Sequence, residues 1–198
     1  MNNELTAPRM NAKIIVSELS RLGRGALERH LLSLGAQDRR LRFGIALGDA
    51  ALRAYVAGID FGRDAVFCVF GDDLELLAAA HLARSDDGAE LGLSVLPGHR
   101  GRGLGGALLE RAHTHARNWG VDALFMQCLT GNAAMMHLAR TQGMAIVVAA
   151  GEAGASLKLP QADAASRFGA VFEQRLALFD YALKAQLKNA RRLAGAFC

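Results

Sequence analysis

The chain has 198 residues, enough for one domain with a sizeable core and an extension. Hydrophobic residues make up 52% and charged residues 21%, a globular composition that excludes an intrinsically disordered chain. The net charge of +4 comes without zinc-finger spacing, an aromatic RNP-like run or a dense basic stripe, so it argues for an anionic small ligand over nucleic acid.

In chain order, Lys13 to Val16 is a short β-rich run that predicts a first strand. Arg21 to Leu34 carries Ala26, Leu27, His30, Leu31 and Leu34 at helical spacing, with Gly35 as its stop. A short helix over Asp38 to Phe43 follows, then a third that Asp49 can cap, with Leu52, Tyr55, Val56 and Ile59 on one face. Ala65 to Phe70 and Leu74 to Ala83 read as strands joined across Gly71-Asp72-Asp73. A second hairpin, through Ser85-Asp86-Asp87-Gly88, leads to Ala89–Leu96. A helix from Gly103 to Trp119 ends at Gly120, a natural left-handed stop. Ala123 to Leu129 has the nearly continuous apolar character of a central buried strand. Thr130-Gly131-Asn132 opens a helix to about Gln142, and Ala145–Ala150 with Ala155–Leu159 form a last hairpin around Gly151-Glu152-Ala153-Gly154, stopped by Pro160.

Between the third hairpin strand and the long helix lies Pro97-Gly98-His99-Arg100-Gly101-Arg102-Gly103-Leu104-Gly105-Gly106. Glycines let backbone N–H groups approach a ligand, and a helix N-terminus carries partial positive charge. The turn is therefore a cradle for a phosphate or pyrophosphate, with Arg100 and Arg102 beside it. It is not a Walker loop, because Gly106 is followed by Ala107 where a Lys would stand. Gly101, Gly103 and Gly106 do read as the dinucleotide pattern G-x-G-x-x-G, with Asp122 following. A dinucleotide fold, however, opens on βαβ and carries its fingerprint near the first strand, whereas here three antiparallel strands precede the turn.

Arg100-Gly101-Arg102-Gly103-Leu104-Gly105, preceded by Val95-x-Pro97, resembles the acyl-CoA turn Arg/Gln-x-x-Gly-x-Gly/Ala of the GNAT N-acetyltransferases. The element order β-α-α(α)-β-β-β-α-β-α-β-β resembles that family too, over roughly Ala12 to Pro160. A shorter likeness to bacterial protein-lysine acetyltransferases runs through Leu34 to Phe43. The resemblance implies an α/β GNAT fold: a mixed, mostly antiparallel sheet flanked by helices over residues 1–160, with residues 161–198 as a C-terminal helical extension. It implies acetyl-CoA as cosubstrate, its pantetheine bonded by the backbone at Leu93, Ser94 and Val95. Its pyrophosphate would lie on Arg100, Gly101, Arg102, Gly103, Leu104, Gly105 and Gly106, and Asn132 would contact the pantetheine or cap its helix. The acceptor would be a primary amine, on a small molecule or on a protein lysine or N-terminus. The alternative is a GNAT-fold module that binds acyl-CoA as a sensor or structural subunit with little turnover.

Acyl transfer to an amine requires deprotonation of the amine and a hydrogen bond to the carbonyl oxygen as it gains charge. By the same resemblance Glu90, ten residues before Arg100, is the candidate base, and the N–H of Val95 or a neighbour the oxyanion donor. The family's thiolate-protonating tyrosine falls on Ala139, and its Asn-x-x-Ala position on Met135. His137 lies about 200° around the helix from Ala139, so it is not a simple substitute. The only tyrosines are Tyr55 and Tyr181, neither near Ala139 in sequence.

The remaining features are plainer. His81, His99, His113 and His115 form no metal-ligand pattern, so no metal is expected. Cys68, Cys128 and Cys198 are odd in number and far apart, which suits reduced thiols in the cytoplasm, with Cys128 as a core thiol. Met1-Asn2-Asn3-Glu4 lacks the basic and apolar regions of a signal peptide, and no apolar run suits a membrane span. Asp163 to Phe197 reads as one long amphipathic helix, with Phe168, Val171, Phe172, Leu176, Phe179, Leu183 and Leu187 on a stripe. That stripe is expected to be covered by the chain's own domain or by a second copy in a homodimer.

Overall fold

The computed structural model describes residues 13–195; the expectations placed on Met1–Glu4, on Cys198 and on the end of the C-terminal helix lie outside that range. Seven strands build one sheet: β1 (Ser17–Glu18), β2 (Ala65–Phe70), β3 (Leu76–Ser85), β4 (Gly88–Val95), β5 (Ala123–Leu129), β6 (Ala145–Ala149) and β7 (Glu152–Lys158). Their spatial order is β1-β2-β3-β4-β5-β7-β6, antiparallel except for β4 beside β5. The helices are α1 (Arg24–Leu32), α2 (Ala36–Phe43), α3 (Asp49–Gly58), α4 (Leu104–Trp119), α5 (Ala133–Thr141) and α6 (Ala164–Gly195). The expected mixed α/β order is present.

Strand alternation divides the core in two. Phe67 and Leu82 point toward α4, where they meet Leu108, Leu109 and Ala112. Val66, Cys68 and Ala79 point to the other face, against Leu27 and Leu31 of α1 and Leu52 and Val56 of α3. A parallel pair needs a crossover, and α4 supplies it between β4 and β5. The crossover helix starts at left-handed Gly103 and closes at left-handed Gly120, as its sequence predicts. Gly88 lets the two strands meet: its φ is +150°, and a Cβ there would lie 2.6 Å from the Ala123 carbonyl oxygen.

Several expectations need correction. The first strand is not Lys13–Val16 but Ser17–Glu18, because only those residues find ladder partners, at Cys68 and Phe67. Asp49 does not cap α3; Gly48 does, and the Asp49 carboxylate instead pairs with Arg39 at 2.7 Å. The last hairpin turns on two residues, Ala150 and Gly151, both at positive φ, so β7 begins at Glu152. In β5 only Leu124 and Met126 are buried, because its far end borders an open cavity.

The long C-terminal helix expected from Asp163 onward is present as α6. It docks along a seam of small and polar residues: Ala177 is buried, Lys184 donates to the Phe70 carbonyl at 3.0 Å, and Lys188 to that of Asp73 at 2.6 Å. Of the apolar stripe, Leu176 is half-buried, whereas Phe168, Phe172 and Phe179 are at least two-thirds exposed. The same inward face also carries Tyr181, whose ring lies 5.0 Å from that of Phe70, and Leu176, which borders a cavity with Ile14 and Val16.

Candidate active site

The site grows from a fork between β4 and β5. These strands pair only at Ala89 with Leu124 and Glu90 with Phe125; beyond that, β5 stays with β7 while β4 follows β3. The Leu96 N–H donates to the Leu77 carbonyl at 2.9 Å, and the β3–β4 register is unbroken. Successive N–H groups in a strand point to opposite sides, so those of Leu93 and Val95 face the fork.

On this fork opens a cavity of about 500 Å³. Leu93, Ser94 and Val95 border it from β4; Arg100, Gly101, Gly103, Leu104, Gly105 and Gly106 from the glycine turn; and Asn132 from the start of α5. Arg102 is the exception among the expected residues. Gly101 and Gly103 both hold positive φ, at +70° and +81°, and Arg102 between them is exposed and outside the lining. Arg100 donates through Nε to the Val95 carbonyl at 3.2 Å and pairs with Asp38 at 2.7 Å, which ties the turn to β4 and α2.

Two buried side chains brace the cavity. The Asn132 side chain accepts from the Met135 N–H at 3.2 Å and donates to the Leu41 carbonyl at 3.3 Å, joining α5 to α2. His30, 3% exposed, stands behind Ser94. Its Nδ1 lies 2.9 Å from the Leu76 carbonyl, which can only accept, so the ring proton sits there. Nε2 is then left to accept from the Ser94 hydroxyl at 2.9 Å. Burial pushes the His30 pKa down, in keeping with a neutral ring.

A second cavity of about 370 Å³ lies on the other side of the fork. Glu90 borders it, with Gln127, Cys128, Glu152 and two groups that sequence reasoning missed, Tyr55 and His81. Their hydrogen bonds run in series. His81 Nε2 donates to Asp64 at 3.1 Å, and Nδ1 accepts from the Tyr55 hydroxyl at 2.7 Å. The Tyr55 oxygen in turn accepts from Arg42 at 3.2 Å. Burial lowers the His81 pKa despite the Asp64 carboxylate, so the ring is neutral and its tautomer follows from its partners. Glu90 is exposed to the cavity and, among the described residues, forms no ion pair. Cys128 is half-buried, not fully buried as expected, and burial raises its pKa, which makes it a poor nucleophile.

The α5 positions also sort themselves. Ala139 is 2% exposed and packs into the core, whereas His137 reaches the rim of the first cavity. The tyrosine expected to be remote, Tyr55, arrives at the second cavity from α3. No sequence signal links Tyr55, His81 and Asp64; only the pairing of β2 with β3 and the docking of α3 bring them together. Among the described residues, no cluster of His, Cys, Asp and Glu has the arrangement of a metal site.

The sequence model of the acetyltransferase (GNAT) family matches residues 36–144, which span the fork, the glycine turn and α5. The chain belongs to the GNAT acetyltransferase family. No curated protein sequence matches it. Solved structures share the GNAT fold at low identity. The GNAT domain of S. lividans PAT is 19% identical with a TM-score of 0.63, over 73% of this chain and 89% of that one. YncA from Salmonella typhimurium, solved with acetyl-CoA, is 19% identical with a TM-score of 0.58, over 77% and 98%. The ribosomal-protein-S18-alanine N-acetyltransferase from Escherichia coli is 19% identical with a TM-score of 0.56, over 75% and 96%. The chain combines a mostly antiparallel sheet with flanking helices and ends its described part in the long helix α6.

Proposed function

We propose that this chain transfers an acetyl group from acetyl-CoA to a primary amine. The observation that carries this reading is the fork, where the free N–H groups of Leu93 and Val95 and the glycine turn border one cavity, and Glu90 borders the cavity beyond it. In this reading the turn from Arg100 to Gly106 holds the pyrophosphate and β4 holds the pantetheine by its backbone. The Val95 N–H, or that of Leu93, donates to the carbonyl oxygen as it gains charge. Glu90 takes the ammonium proton, directly or through water, so that the amine nitrogen can attack. The nitrogen–carbon bond forms, the adduct nitrogen releases its second proton to water, and the carbon–sulfur bond breaks with the electron pair leaving on sulfur.

The acceptor is a small-molecule amine, a lysine or a protein N-terminus; Glu90 and Glu152 both suit a cationic amine. Residues 1–160 form the catalytic unit in the cytoplasm, and 161–198 an extension whose exposed phenylalanines pack on a second copy. Sedimentation of the intact chain should show a dimer, and a Phe172→Ser/Phe179→Ser variant a monomer. The test of activity is release of CoA from acetyl-CoA across a panel of amines and peptides. A second reading, an acyl-CoA-binding module without turnover, draws on the burial of Ala139, which leaves α5 with no acid at the family's tyrosine position. CoA binding with no release across the panel would favour it.

A further inference from the structure

The missing acid of α5 leaves a chemical task undone, and Arg42 of α2 is a cation that borders the fork. It and its neighbour Leu41 are the two residues that border both cavities. Its guanidinium lies directly on Gly92, so that a Cβ at Gly92 would collide with it. Gly92 is two residues past Glu90, the last β4 residue paired with β5, so the cation sits at the opening of the fork. Among the described residues no carboxylate pairs with Arg42. Its position is fixed instead by stacking on Phe43, 4.7 Å from the ring centroid, and by its bond to Tyr55, which His81 and Asp64 hold in turn. A half-buried cation without a counter-ion, braced by a three-residue chain at the junction of two cavities, is suited to a transient negative charge.

We infer that Arg42 is a catalytic residue that stabilises the departing CoA thiolate, and that Tyr55, His81 and Asp64 are its positioning residues. The inference rests on the acetyl-transfer reading above. As the carbon–sulfur bond breaks, the electron pair moves to sulfur and CoA leaves as the thiolate, paired with the guanidinium. No proton need be supplied at that moment, and the thiolate takes one later from water. The first proton of the ammonium goes to Glu90 before attack, and the second, carried by the nitrogen of the tetrahedral adduct, passes to water as the carbon–sulfur bond breaks. Charge stabilisation thus replaces the protonation that a tyrosine at position 139 would provide.

The test uses binding, which does not depend on knowing the acceptor. A neighbouring cation lowers the pKa of a bound thiol, so affinity for CoA strengthens as pH rises through the thiol's range, while desulfo-CoA, lacking the thiol, gains nothing. The titratable and charged groups around Arg42 are Tyr55 on α3, His81 on β3 with Asp64 behind it, and Glu90 on β4. Asp38, His99, Arg100 and His137 border the CoA side, and Cys128 and Glu152 the far side. Both ligands meet all of these, so the ratio of their affinities isolates the thiol. In the wild type the preference for CoA over desulfo-CoA should grow by roughly tenfold between about pH 7 and 10, the equivalent of one unit of pKa. In Arg42→Gln, with an unchanged melting temperature, the ratio should stay flat, and Arg42→Lys should restore part of the slope. An equal slope in Arg42→Gln, or none in the wild type, overturns the inference and leaves the acetyl-transfer reading intact. Failure of the wild type to bind either ligand overturns that reading, and the inference with it.

Discussion

The two cavities that meet at Arg42 are built in opposite ways. The cavity that the proposed function gives to CoA draws on backbone within residues 93–106, namely two strand N–H groups, a turn with positive-φ glycines and a helix N-terminus, with side chains of α2 and α5 closing it. The acceptor-side cavity draws on side chains from α2, α3, β3, β4, β5 and β7, spread from Arg42 to Glu152. A backbone site tolerates changes of side chain and fails when the chain path changes; a side-chain site fails one group at a time. Under the proposed function, the contrast would make the CoA side generic and leave specificity to the acceptor side.

The largest expected effect lies on the acceptor side. Glu90→Gln should lower turnover at neutral pH by about 10²–10⁴, the range of a lost general base, while leaving CoA affinity unchanged. The deficit should shrink as pH rises and free amine accumulates; full activity at neutral pH would make Glu90 a bystander. Next comes the backbone side. Gly103→Glu places a side chain at φ +81°, at a cost of about 1–2 kcal/mol, and adds negative charge where a pyrophosphate would lie. CoA affinity should fall at least tenfold or so, and unchanged affinity in a folded protein would break the assignment of the turn.

A smaller effect sharpens the contrast. Tyr55→Phe deletes one hydroxyl between Arg42 and His81, worth about 1 kcal/mol, so kcat should fall roughly fivefold with KM for acetyl-CoA unchanged. A rise in KM without loss of kcat would place Tyr55 in acceptor binding instead.

The smallest expected effect is on stability. His30 braces the CoA-side strand and His81 the acceptor side, and burial lowers the pKa of both; His115, beside Trp119, is pushed down to about 4. The unfolded chain therefore binds more protons than the fold once pH drops below about 6.5. The stability that the neutral rings contribute is complete above that pH and is lost toward pH 4. Glu18, raised by burial, works in the opposite direction at the acidic end. Melting temperature should fall on acidification from about pH 6.5, and His115→Asn should flatten that slope; a flat wild-type profile would contradict the neutral assignments.

Local patterns carried much of the architecture. The apolar, β-branched and aromatic run Ala65–Phe70, helical spacing in Leu104–Trp119 and the glycine stops each reflect short-range sterics and periodicity, so the element order, the glycine turn and the position of Glu90 were legible in the sequence. What only the tertiary structure decided is which distant residues meet. Antiparallel pairing sets His81 of β3 opposite Gly92 of β4, α3 brings Tyr55 onto that face, and α2 lays Arg42 across the fork. The same dependence appears in α6, whose periodicity is plain but whose inward face meets partners, among them the carbonyls of Phe70 and Asp73, that lie more than a hundred residues earlier. Periodicity identifies an amphipathic face, whereas the partner that face meets depends on long-range geometry that no local spacing encodes.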